Sequence, residues 1–270
     1  AHVNSDEGGA PEKVGGIKLL TIPTPDGKLT PELIDTEAWG WGDEHRAQPL
    51  VVAITQSSEL GTLYTPAEIR AIADHVHERG MLLYMDGARI SNAAAALGLP
   101  LHAFTTDAGV DVVSVGGTKN GALAAEAIVV LNESASVGLH YLRKMNMQLA
   151  SKMRFVSAQL VALYEGDLFL RNARHANAMA ARLRRGLEEA IAATAETLAA
   201  EEEKEGEGEE EEEVAQFGSD ALVAILEKSA ESVPAPPTAL DTETTSEESQ
   251  APAEPINAAA TKAVYKGPID

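Results

Sequence analysis

Cysteine is absent from the 270-residue chain. Its absence excludes disulfides, thiolate nucleophiles and thiolate metal ligands together, and no metal site is expected. It also fits a reducing compartment, so the cytoplasm is the expected location. No apolar run approaches the roughly 18 residues that a membrane helix needs, so no membrane span is expected. No basic-then-apolar leader follows Ala1, and a first residue other than Met reads as a processed or partial chain. Positive charge is scarce, with 21 Lys and Arg against 42 Asp and Glu. The imbalance is local: residues 196–270 hold 20 acids and 4 bases, whereas residues 1–195 hold 22 acids and 17 bases. An acidic end of this kind repels nucleic acid and anionic membrane, so neither is an expected partner.

Hydrophobic residues make up 44% of the chain, ample for a buried core. Residues 16–42 read as irregular, punctuated by Pro23, Pro25, Asp26-Gly27 and Pro31. The β-branched run Leu50–Thr55 reads as a buried parallel strand. Thr65, Pro66 and Glu68 then spell a helix start, with a capping box and proline at the first helical position. Ile69, Ile72, Ala73 and Val76 follow at helical spacing, and Gly80 ends the segment. Met81–Met85 predicts a second strand, Arg89–Leu97 a helix, Val110–Val115 a third strand and Ala127–Leu131 a fourth. This alternation is that of an α/β fold with a mainly parallel sheet and flanking helices. Residues 135–190 read as one or more long helices. The expected organisation is a large domain over 1–150, a helical segment over 151–195, and an acidic low-complexity tail over 196–270. Within that tail, 201–213 contains 10 Glu, 219–232 suits one short amphipathic helix, and 233–255 has a disordered composition.

Gly116-Gly117-Thr118-Lys119-Asn120-Gly121 directly follows the third strand. On the residues alone, Lys119 is an exposed loop lysine, a phosphate-binding lysine or a Schiff-base lysine. The second reading lacks the G-x-x-x-x-G-K-[ST] spacing. The third has a chemical basis, because an amine buried among glycines and a hydroxyl gives up its proton more easily and can condense with an aldehyde cofactor. Glycines would let a cofactor phosphate approach backbone N–H groups, with Thr118 adding a hydroxyl donor.

Tyr84-Met85-Asp86-Gly87-Ala88-Arg89 ends the second strand. Taken alone, Asp86 reads as a helix cap. Asp86 and Lys119 are 33 residues apart, each just past an apolar strand. That is about one strand–helix–strand step, and neighbouring parallel strands open onto one crevice at their carboxyl ends. The pair suits pyridoxal phosphate, which needs a lysine for its aldehyde and a carboxylate against its pyridine nitrogen. Arg89 then offers a bidentate fork for the α-carboxylate of an amino-acid substrate.

Five segments lie in one order: His2 with Glu7-Gly8-Gly9-Ala10, Thr55–Thr62, Tyr84–Ile90, Asp111–Gly121 and Met147–Arg154. Together they make the region from about His2 to Gly186 resemble the threonine aldolase branch of the β-eliminating lyases. The resemblance implies an aspartate-aminotransferase-like fold, pyridoxal 5′-phosphate as cofactor, and a homodimer or tetramer. It implies retro-aldol cleavage of L-threonine or L-allo-threonine to glycine and acetaldehyde. It also implies Lys119 as the Schiff-base lysine, Asp86 as the partner of the pyridine nitrogen, and Arg89 as a contact to the substrate carboxylate or a cofactor oxygen. His2 matches the ring that stacks on the cofactor. Glu59 stands where relatives carry a histidine, so its carboxylate is a candidate base, a hydroxyl contact or a polar loop group.

Such relatives begin with a further segment, which holds a serine at the substrate site and a phosphate-binding loop. They end with a small domain that supplies a second arginine. The sequence shows neither, so weak cofactor affinity and slow turnover are expected of it. Arg171, Arg174, Arg182, Arg184 and Arg185 fall on a helical pattern and read as a solvated face. Two rival readings stand beside threonine cleavage: β-elimination from another amino acid, and a truncated homologue without catalysis.

Overall fold

In a computed structural model the chain is described over residues 1–205. The rest of the acidic tail, with the helix expected at 219–232 and the stretch 233–255, lies outside the described residues. The chain divides into two compact units, Ala1–Glu196 and Thr197–Asp270. The first holds the sheet and the crevice described below.

Four strands form one sheet: β1 Val51–Thr55, β2 Leu82–Gly87, β3 Val112–Gly116 and β4 Glu126–Val130, in that spatial order. The first three run parallel and β4 runs antiparallel to β3. The sheet is therefore mainly parallel, as the alternating pattern predicts. Its last strand reverses because residues 117–125 are too few for a parallel crossover, which takes a dozen or more. Eight helices accompany the sheet among the described residues: α1 His2–Ser5, α2 Ala10–Gly15, α3 Pro31–Asp35, α4 Pro66–Glu78, α5 Ile90–Leu97, α6 Leu139–Met145, α7 Arg154–Tyr164 and α8 Leu168–Glu205.

Helix α4 shows how local chemistry sets an element. Thr65 Oγ1 accepts from the Glu68 N–H at 3.2 Å, and Glu68 Oε2 accepts from the Thr65 N–H at 2.7 Å. This capping box satisfies two donors that the helix cannot satisfy internally. At the other end Gly80 takes φ +70°. Its N–H donates to His77 O and the Met81 N–H donates to Val76 O, which closes the helix in a Schellman turn. Between these ends Ile69, Ile72, Ala73 and Val76 are fully buried.

That stripe packs on one face of the sheet. Strand alternation puts Val52, Ile54, Leu83, Met85 and Val113 together there, and they form a single core with Ile90, Ala94 and Phe104. Each Val, Ile, Leu, Met and Phe side chain among them contributes roughly 1.5–3 kcal/mol of burial. The opposite face carries Ala53, Tyr84, Asp86, Ser114 and Ile128, and Ile128 is 67% exposed.

At the amino end of β2 a buried carboxylate ties three elements. Asp111 Oδ2 accepts from the Leu83 N–H at 2.6 Å and lies 2.8 Å from His77 Nε2. Its Oδ1 accepts from Asn132 Nδ2 at 2.6 Å. Residues 16–42 are irregular except for α3, whose first turn is capped by Thr30. The expected helices of 135–190 are interrupted over 146–153. Met147 and Lys152 there take φ 59° and 60°, a left-handed conformation that no helix of L-residues continues through. Helix α8 runs past residue 195 to Glu205 through Ala- and Glu-rich sequence, both strong helix formers.

Candidate active site

The carboxyl ends of β2 and β3 approach closely because glycines stand where they meet. A Cβ on Gly87 would lie 2.3 Å from the Ser114 carbonyl oxygen. One on Gly116 would lie 2.8 Å from Ala88 O, and one on Gly117 would lie 2.6 Å from Ala125 O. With no Cβ at these points, the loops after both strands close on one crevice of about 390 Å³. Lys119, Asp86, Tyr84, His2, Glu7 and Thr55 are among its lining residues. Asp86 and Lys119 thus share one pocket.

Asp86 is not the cap of α5; that position belongs to Arg89. Asp86 Oδ1 accepts from the Ala88 N–H at 2.9 Å, an Asx turn that fixes the carboxylate. Its Oδ2 has no partner among the described residues. Two residues earlier, on the same face, Tyr84 donates its hydroxyl to Ser114 Oγ at 3.0 Å, and the Gly87 N–H donates to the same oxygen at 3.2 Å. Burial pushes the Tyr84 phenol above its ordinary value; the Ser114 bond opposes this, while Asp86 and Glu7 add to it. Tyr84 is therefore a neutral wall of the crevice. Its period-two spacing from Asp86 is the sequence signal that puts it on the same face.

Lys119 sits in a 3₁₀ turn, Thr118–Asn120, that two helices hold from behind. Asn120, buried, donates through Nδ2 to Phe169 O at 3.2 Å, and Asn172 Nδ2 donates to Asn120 O at 2.9 Å. From α7, Tyr164 donates its hydroxyl to Gly116 O at 3.1 Å, and Gln159 Oε1 accepts from the Leu123 N–H at 2.8 Å. In the sequence the only mark of these residues on α7 and α8 is a polar group on an otherwise apolar helix face. Burial is also the first cause that raises the Tyr164 phenol above its ordinary value, opposed by its bond to Ser91 and reinforced by Glu126.

Two residues are placed apart from the sequence expectation. Lys119 is exposed rather than buried, because the crevice opens on the sheet face opposite α4. Its ammonium has no hydrogen bond or ion pair among the described residues. Thr118 does not line the crevice, and its backbone N–H donates to Glu126 Oε1 at 3.2 Å.

Glu59 joins the two remaining candidates. Its Oε1 lies 3.1 Å from His2 Nε2 and 3.0 Å from Arg89 Nη1. The other side of the His2 ring faces carboxylates too, with Nδ1 3.7 Å from Glu7 and 3.8 Å from Asp6. Of these three residues only His2 lines the crevice; Glu59 and Arg89 are linked to it through the His2–Glu59 contact. Arg171 and Arg184 pair with Asp167 and Glu188 on exposed faces of α8, clear of the crevice lining.

A lysine amine without a partner and a carboxylate with one oxygen open, in one crevice, are the two groups that pyridoxal phosphate requires. The residues present fit that cofactor. The model of the β-eliminating lyase family matches residues 1–203. The chain belongs to that family. It is 48% identical over 178 residues to the low specificity L-threonine aldolase of a Pseudomonas species, which covers 66% of this chain and 51% of that protein. A second such aldolase, from Pseudomonas aeruginosa, is 47% identical over the same shares. The solved threonine aldolase of Leishmania major superposes with a TM-score of 0.65 at 32% identity, over 70% of this chain and 55% of that one. The chain spans about half the length of the curated relatives it matches. No helix among the described residues is long and apolar enough to cross a membrane.

Proposed function

We propose that this chain carries the cofactor and substrate groups of a pyridoxal phosphate-dependent aldehyde-lyase, which cleaves L-threonine or L-allo-threonine to glycine and acetaldehyde. The observation that carries the reading is the meeting of Lys119 and Asp86 in one crevice. The names of the Pseudomonas relatives support the substrate. Lys119 would hold the cofactor's aldehyde carbon and Asp86 its pyridine nitrogen, with the Asx turn keeping that carboxylate in place. When bound, the cofactor supplies an electron sink for the carbanion left as the Cα–Cβ bond breaks.

The chain's own groups do the rest. Arg89 takes the α-carboxylate, which orients Cα over the crevice. The His2–Glu59 pair receives the β-hydroxyl proton: the imidazole accepts it, and the carboxylate 3.1 Å away stabilises the charge that results. Tyr84 and Thr55 wall the crevice on the sheet side. A homo-oligomer, dimer or tetramer, and a cytoplasmic location belong to the same reading.

Borohydride reduction of the purified chain with pyridoxal phosphate tests it. One equivalent of cofactor should be trapped on Lys119, and Lys119→Ala should abolish the adduct. Threonine should yield glycine and acetaldehyde. A stoichiometric adduct that persists in Lys119→Ala would sink the assignment. Pyruvate and ammonia from a β-substituted alanine, with no acetaldehyde from threonine, would replace aldol cleavage by β-elimination.

A further inference from the structure

We propose that Glu59 is a place-holder for the substrate carboxylate. In the substrate-free chain it occupies Arg89, and the α-carboxylate of an incoming amino acid takes its place there while Glu59 stays on His2. The inference rests on the reading of Arg89 as the carboxylate-binding group, but not on turnover.

The geometry carries it in three steps. First, one oxygen serves two partners: Glu59 Oε1 faces both His2 Nε2 and Arg89 Nη1, so leaving Arg89 does not leave the carboxylate without a contact. Second, the contact to Arg89 is through a single nitrogen. Among the described residues the guanidinium makes no other hydrogen bond, so its fork is open to a carboxylate that binds with both oxygens. Such a pair is shorter and stronger than a one-point contact. Glu59 and Arg89 are 42% and 29% exposed, where a one-point ion pair is weak and exchange is inexpensive. Third, Glu59 is presented by a built turn. The Ser58 N–H donates to Thr62 O at 3.1 Å, the Gly61 N–H donates to Ser58 O at 3.0 Å, and Ser58 is buried. Thr62 Oγ1 donates to Asp26 O at 2.7 Å, which anchors the turn to the preceding loop. The backbone that carries Glu59 is thus held by its turn, while the side chain keeps the rotation it needs to leave Arg89 and stay on His2.

A carboxylate that competes for Arg89 has a consequence opposite to that of a catalytic base or a structural clamp. Removing it should strengthen carboxylate binding. Glycine, the proposed product, is the probe, titrated calorimetrically into the full chain without added cofactor, with methylamine as the control that lacks a carboxylate. Glu59→Gln should bind glycine about two- to fivefold more tightly than the unaltered chain, the range expected from losing one exposed ion-pair competitor. Glu59→Ala should move in the same direction, Arg89→Gln should lose the binding, and methylamine should bind none of the proteins. Equal or weaker glycine binding by both Glu59 variants overturns the proposal. So does binding that survives in Arg89→Gln, or no glycine binding by any of the proteins. Cofactor trapping on Lys119 is read separately, so loss of the lyase reading and loss of this one give different results.

Discussion

Gly87→Ala tests the physical claim on which the crevice depends, that β2 and β3 meet only because no Cβ stands between them. The new methyl carbon would lie 2.3 Å from Ser114 O and 3.2 Å from both Ile90 Cβ and Val113 Cγ2. A carbon and a carbonyl oxygen settle at about 3.3–3.6 Å, so the strands must part by about 1 Å. The obstacle is backbone, which cannot rotate away as a side chain can. The ladder there pairs Asp86 with Ser114 and Gly87 with Val115, and both pairs would be strained. Overpacking of this kind costs typically 1–3 kcal/mol, and a backbone clash sits at the upper end, about 3 kcal/mol. Urea denaturation of the full chain reads this as a lower midpoint with an unchanged slope. Gly186→Ala is the matched control. It lies within α8, a Cβ there meets nothing within 4 Å, and it should gain roughly 0.5–1 kcal/mol from helix propensity. Gly87→Ala should also trap less cofactor on Lys119, because the strand ends no longer close. A Gly87→Ala midpoint equal to that of the unaltered chain would refute the close-approach argument.

Asp111→Ala should cost about 3 kcal/mol or more by the same assay, since it strands the Leu83 N–H, the Asn132 amide and His77 at once; a loss under about 1 kcal/mol would show that water replaces the carboxylate. Tyr64 gives an alkaline signature. Burial pushes its phenol up to about 12, against the lowering bond from the Leu29 N–H and with the help of Asp26 and Glu68. The folded state therefore keeps a proton that the unfolded state releases near 10, so this contribution is complete below pH 10 and is lost as pH rises toward 12. Urea midpoints measured across that window should fall less steeply in Tyr64→Phe, and equal slopes would remove Tyr64 as the cause.

Much of the scaffold is written in short-range sequence. Thr65, Pro66 and Glu68 specify the start of α4 because the capping bonds run between residues three apart, and Gly80 specifies its end because only a left-handed residue closes that turn. The strands at Val51, Leu82 and Val112 were legible as short apolar runs bounded by turn residues, and their parallel order followed from the helices between them. The pairing of Asp86 with Lys119 followed from the same rule, since side chains just past neighbouring parallel strands face one crevice. Other features depended on groups far apart in the chain. Glu59 meets Arg89 30 residues away, and Tyr164 reaches Gly116 across 48, contacts that no local pattern encodes. The reversal of β4 came from the length of the link that carries Lys119, and the exposure of Lys119 from which sheet face the helices cover. Periodicity tells which side of a strand a residue faces; only packing tells what stands opposite it, because that choice is made by the shapes of surfaces brought together from distant segments.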